Sequence, residues 1–241
     1  MTHIGAIKLP RKTYWGLLLK FSALPIILWL AEFTYQYWWL VSGDPLAIQY
    51  SLVRSFALAG ATLIGFALAS SVIFRWMPRT ARHWRIRRYL GVSGFIFAFA
   101  HALSVYYFYF AFDLRQIYFT LNPLEQPIIF GTIALPIFMI MAFTSTDWVM
   151  EKLTPRVWKF IHRFVYVAYL SMVFHFILIN PETLKNPAGY LLIAITAFVL
   201  LGHTQLFLKT AIKKRFRSLG SIVGIAIILC ALVIVYLVFQ Q

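Results

Sequence analysis

A single cysteine, Cys230, and only seven acidic residues stand in a chain of 241. One thiol excludes an internal disulfide, a four-cysteine iron–sulfur cluster and a thioether-linked haem, each of which needs at least two. Charge of either sign is scarce, 12% of residues against about 25% in soluble domains. No connecting stretch is long enough to fold alone, the longest running from Arg75 to Arg88. No Gly-rich strand-to-helix turn of the kind that cradles nucleotides is present. What is plentiful is apolar surface, 61% of residues with a mean hydropathy of +0.78, an excess that calls for a bilayer as the outer solvent. The net charge of +15 would suggest nucleic acid in a soluble protein. Here the cations fall in short runs between apolar stretches, so they read as topology signals; membrane lipid is the expected partner and nucleic acid is not.

A hydrocarbon core about 30 Å thick needs about 20 apolar residues per helix. Seven such stretches lie at Trp15 to Leu40, Tyr50 to Phe74, Tyr89 to Phe112, Pro127 to Ser145, Val157 to Ile179, Ala188 to Phe207 and Ile222 to Phe239. The expected fold is an all-α integral membrane bundle of six core helices plus a seventh at the C-terminus. The first span is too long for a signal-peptide core and lacks a small-residue cleavage site, so it is expected to remain as an anchor. With a cytoplasmic N-terminus, 19 of the 22 Lys and Arg lie on the inner side and only Arg54, Arg115 and Lys185 on the outer, the asymmetry of the positive-inside rule. The organisation follows: residues 1–14 form a cytoplasmic tail, 15–209 the transmembrane domain, and 210–241 a basic cytoplasmic loop and the last helix. Gly220 and Gly224 form a small-xxx-small pair at the start of that helix, equally readable as a packing face or as chance.

Ionisable side chains deep in a span are costly, which singles out His101 in the third span and His175 in the fifth. These spans run in the same direction. Thirteen residues separate Arg88 from His101 and His162 from His175, so the two histidines stand at similar depth in the outer half. Two neutral imidazoles facing each other across a bundle are what a six-coordinate haem iron requires, and filling both axial positions favours electron transfer over oxygen binding. Gly94 and Ala98 precede His101, and Ala168 and Ser171 precede His175, at spacings that share a helix face; small side chains there leave a groove for a flat macrocycle. The structural alternative is a pair of histidines hydrogen-bonded within the bundle. Arg54 is a candidate partner for a haem propionate, with snorkelling to the headgroups as the rival reading.

His162 lies near the cytoplasmic face, where a relay cofactor, a second haem or FMN, would shorten the electron path. On a straight helix it points about 220° away from His175, so one span would not aim both rings at one stripe. Its partner is open. Arg87 and Arg88, at the same depth in the third span, stay protonated and cannot ligate iron, which leaves His83 and His203 or a solvated interfacial histidine; His3 belongs to the tail. Glu32 reads as an interface residue within an aromatic belt of Trp29, Trp38, Trp39, Tyr35 and Tyr37, with a proton relay as the other reading.

The stretch Arg87-Arg88-Tyr89-Leu90-Gly91 is followed by Phe95, His101 and Tyr106. After it come Ala142-Phe143-Thr144-Ser145-Thr146, Trp158, His162-Arg163-Phe164-Val165-Tyr166 and His175. In that order these motifs resemble the ferric-reductase-like transmembrane domain, over residues 15 to 209, and within it the haem-binding membrane subunits of bacterial methionine-sulfoxide reductase systems. The resemblance implies a b-type haem protein of the bacterial inner membrane. Such a protein takes electrons from a cytoplasmic flavin reductase or quinol and hands them to a periplasmic molybdopterin reductase. It places the haem-linked histidines on His101, His162 and His175 and the second-span arginine on Arg54, where Val53 replaces the usual glycine. Arg88 joins His101, His162, His175, Arg54, Gly94, Ala98 and Ser171 in the candidate cofactor-binding set. The seventh helix is additional to the family pattern. Two other functions fit the same sequence: a stand-alone ferric or oxygen reductase, and a non-redox transporter or assembly protein using buried histidines as proton relays.

Overall fold

The computed structural model describes residues 11–40, 43–179, 181 and 186–214. His3, Lys185, the Gly220/Gly224 pair, Cys230 and the expected seventh helix lie outside them. Six long helices carry the fold: α1 Arg11–Tyr35, continued by a π turn Gln36–Leu40; α2 Ala47–Trp76; α3 Trp84–Phe108; α4 Ile128–Thr144; α5 Pro155–Ile179; and α6 Pro187–Lys214. No strand occurs among the described residues. Four of the helices, α2, α3, α5 and α6, are long and apolar enough to cross a bilayer, and α4 is a shorter apolar helix of 17 residues. In lipid every backbone N–H and C=O must be paired internally, and helices do this within one segment. The chain is an all-α, multi-pass membrane protein.

Helix α2 is the hub, packing on α1, α3, α5 and α6. Its sequence explains why: Ala59, Gly60, Ala61, Gly65, Ala67 and Ala69 are all buried, and small residues let backbones approach where lipid gives no hydrophobic drive to associate. The closest approach is to α3. A Cβ on Gly60 would stand 2.9 Å from the Ala98 amide nitrogen, and one on Gly94 would stand 2.7 Å from the Ile64 side chain. The core continues through Ile64, Leu68, Phe138, Val165, Ala168, Tyr169, Val173 and Ile195, with the Tyr169 hydroxyl paired at 2.9 Å to Thr196 Oγ1 of α6. The aromatic-belt expectation for Glu32 needs correction. Trp38 is exposed, but Glu32 is 8% exposed and Gln36 fully buried, because both lie on the face of α1 turned into the bundle.

The second correction concerns α5. Its axis is interrupted by a 3₁₀ turn at His162–Phe164. Each 3₁₀ residue turns about 120° instead of about 100°, so three of them reduce the angle between His162 and His175 from about 140° to about 80°. Both rings consequently reach α4, His162 at its Thr144 end and His175 at its Pro127 end.

Candidate cofactor site

His101 of α3 and His175 of α5 meet with ring centres 6.2 Å apart and planes at 64°. Each ring is tied by its Nδ1. His101 Nδ1–H donates to the Val53 carbonyl of α2 at 3.0 Å, and His175 Nδ1–H donates to the Pro127 carbonyl that opens α4, also at 3.0 Å. A hydrogen bond from Nδ1 fixes the tautomer and leaves Nε2 as the electron-pair donor, the arrangement of ligating histidines. The two rings border a cavity of about 90 Å³, whose lining includes Ala98, Ala102, Gly131, Thr132 and Met172.

The small residues divide between two tasks. Ala98 lines the cavity, whereas Gly94 faces Ile64 and Gly60 in the crossing of α2 and α3. Ala168 and Ser171 are buried. The floor under His175 is Gly131, which the sequence did not single out: a Cβ there would lie 3.3 Å from His175 Cε1 and Nδ1. Its only sequence signal is a glycine one turn into α4, and nothing local says that it faces a histidine of another span. Arg54 follows Val53, whose carbonyl holds His101, and makes no ion pair among the described residues. At the outer rim, Tyr106, Tyr118 and Thr132 form a chain of hydroxyls with 2.9 Å between successive oxygens. It ties the connector after α3 to the cavity, since Tyr106 and Thr132 both line it.

A second cavity of about 190 Å³ lies beside His162, bordered by Trp84, Arg87, Arg88, Ser145, Met150 and Trp158 among others. Trp158 stacks on the His162 ring, 3.9 Å between centres, and its indole N–H donates to the Thr144 carbonyl. The Thr144 hydroxyl is directed at the Ile140 carbonyl at 2.8 Å, so His162 Nε2–H donates to Thr144 Oγ1 at 3.2 Å. This leaves Nδ1 of His162 as its electron-pair donor. Arg88 forms an ion pair with Asp147, which holds the short helix Asp147–Lys152 at the cavity edge. The remaining histidines stand elsewhere. His83 is exposed at the end of the α2–α3 connection, and His203 is buried on α6 with its Nδ1 3.2 Å from the Tyr166 hydroxyl. Neither lines this cavity.

Two histidines of different spans, each held through Nδ1 by a backbone carbonyl, stand opposed inside an all-α membrane bundle. The chain belongs to the family described as the ferric reductase like transmembrane component, which it matches over residues 52–173. That stretch covers most of α2, all of α3 and α4 and α5 as far as Val173; it includes His101, His162 and the carbonyl partners Val53 and Pro127, and stops two residues before His175. Among curated proteins it is similar to the protein-methionine-sulfoxide reductase heme-binding subunits MsrQ of Brucella ovis, Brucella canis and Brucella suis. It is 28% identical to each over 142 residues, 58% of this chain and 62% of theirs.

Proposed function

We propose that this protein is a b-type haem electron-transfer subunit of the bacterial inner membrane. It passes electrons from a cytoplasmic flavin reductase or quinol to a periplasmic oxidoreductase of the methionine-sulfoxide reductase kind, a molybdopterin enzyme. The observation that carries the reading is the His101–His175 pair. An imidazole nitrogen binds a metal at about 2 Å, so a pair of facing rings would hold one ion between them only if their centres stood several ångströms apart. The observed separation is 6.2 Å.

Both donors are neutral nitrogens with their Nδ1 protons committed to backbone carbonyls, a donor set suited to haem iron. His101 and His175 would hold the iron, while Ala98 and Gly131 leave room beside the rings. Arg54 would face a propionate, offsetting negative charge where water is scarce. Bound there, haem supplies a reversible one-electron couple. If His101 and His175 both held the iron, the site would favour transfer to a partner over direct reduction of oxygen.

On the inner side, His162, Arg88 and Trp158 surround the cavity suited to a relay cofactor, a second haem or FMN. The arginine offers charge to an anionic group and the indole an aromatic face. The excess of Lys and Arg on the connections that include Arg75 to Arg88 and Lys152 to Arg163 supports a cytoplasmic location for this end. A pyridine-haemochrome measurement and reduced-minus-oxidised spectrum of the purified protein tests the proposal. One or two haems per chain are expected; a colourless preparation from haem-replete cells refutes it.

A further inference from the structure

Helix α1 buries polar groups where it meets α2. Glu32 is 8% exposed and Gln36 is fully buried, while Trp29 stacks on Phe56 of α2 with ring centres 5.3 Å apart. On an α-helix Trp29, Glu32 and Gln36 fall within an arc of about 60°. At Gln36 the helix widens into the π turn, a local form frequent at functional sites. The π turn packs against α2, whose opening turns carry Ser51 and Ser55, both fully buried. Ser55 Oγ donates to the Leu52 carbonyl of its own helix. Trp29 Nε1, both amide atoms of Gln36 and Ser51 Oγ are buried without any hydrogen-bond partner. None of these residues borders the cavity at His101 and His175 or that at His162.

Buried polar groups are hydrogen-bonded in folded proteins, and those without a protein partner are met by internal water or a ligand. The chemistry of this set narrows the choice. The indole N–H and amide NH₂ are donors; the amide oxygen, the serine hydroxyl and the Glu32 carboxyl offer acceptors. A dehydrated cation would leave the N–H groups unmet, and an anion would face Glu32. Water donates and accepts at once.

We propose that Trp29, Glu32, Gln36 and Ser51 line a hydrated seam between α1 and α2. A short file of internal water there keeps the Glu32 carboxyl in contact with the aqueous phase at the α1–α2 turn. The seam requires neither haem nor electron transfer, so it stands or falls separately from the proposed function.

Radiolytic hydroxyl-radical footprinting of the full-length protein in lipid nanodiscs, with water as the probe, tests it. Glu32, 8% exposed, should be labelled far faster, relative to its intrinsic reactivity, than Phe138 at 5% and Tyr169 at 1% in the apolar core, a difference far larger than those exposures account for. The double variant Gln36→Leu, Ser51→Val removes two of the polar groups that line the seam and should lower Glu32 labelling. Labelling of wild-type Glu32 no faster than that of Tyr169 and Phe138 overturns the proposal, and this comparison needs no variant to fold. So does Glu32 labelling that the double variant, folded and inserted, leaves unchanged. Protection of Glu32 by sodium at constant ionic strength would place a cation in the seam and equally overturn it.

Discussion

The imidazoles of His101 and His175 face each other across 6.2 Å while their Nδ1 atoms are held, one by the Val53 carbonyl of α2 and the other by the Pro127 carbonyl of α4. Four helices thus fix one pair of rings. One nitrogen of each ring is paired to a backbone carbonyl, and both rings border the same cavity.

His101→Ala and His175→Ala should each abolish the reversible reduced-minus-oxidised haem spectrum while leaving the protein inserted. Either variant would keep only one of the two side chains proposed to hold the iron, too little to retain the haem. A full low-spin spectrum retained in either variant would refute the ligand assignment.

His162→Ala is expected to remove part of the cofactor or slow reduction from the cytoplasmic side, with the outer pair intact. Thr144→Val deletes the acceptor of the Nε2 proton, releasing the ring to turn. A milder change in the same direction is expected, with a stability cost of about 1 kcal/mol. Unchanged haem content, flavin content and reduction rate in both variants would reduce His162 to a packing residue.

Arg54→Gln keeps a hydrogen-bonding side chain but removes its charge. Loss of a cation beside a propionate makes the added electron less favourable, so the midpoint potential of the His101/His175 haem should fall and its affinity weaken. A redox titration that superimposes on the wild type would instead assign Arg54 to the headgroup region.

Gly131→Ala and Gly94→Ala separate the two tasks of small residues. The new methyl at residue 131 meets the His175 ring at 3.3 Å, so it should perturb the haem spectrum with little change in thermal stability. At residue 94 it meets Ile64 at 2.7 Å and the Gly60 carbonyl oxygen at 3.0 Å. That substitution should cost about 1–3 kcal/mol of stability, read as a lower Tm, with the spectrum retained in the folded fraction. An identical response of spectrum and Tm in the two variants would overturn the division.

Much of the fold was legible because hydropathy adds up locally. The apolar stretches 50–74, 157–179 and 188–207 need no tertiary information to be recognised as helices, and the structure starts and ends each within about ten residues of those bounds. The histidines were legible for the same reason, since the cost of burying them is written in their neighbours. The floor of the cavity was not. Gly94 and Gly131 are both glycines in apolar helices, and only the packing of α2 on α3 and of α5 on α4 tells which one faces a backbone and which faces a ring. Glu32 was misread because composition places Trp29, Tyr35, Tyr37 and Trp38 around it but does not say which side of α1 turns toward α2.

By itself the sequence determined the solvent this protein lives in, the order of the long helices over its described residues, and the expectation of two histidines at one depth. Those properties depend on residue type and on rise per residue. Tertiary structure alone decided azimuth: the 3₁₀ turn at His162–Phe164 that brings both α5 histidines onto α4, the two carbonyls that lock the rings, and the inward face of Glu32 and Gln36. Azimuth accumulates over every residue of a helix and is finally set by the partner it packs on, so no local pattern contains it.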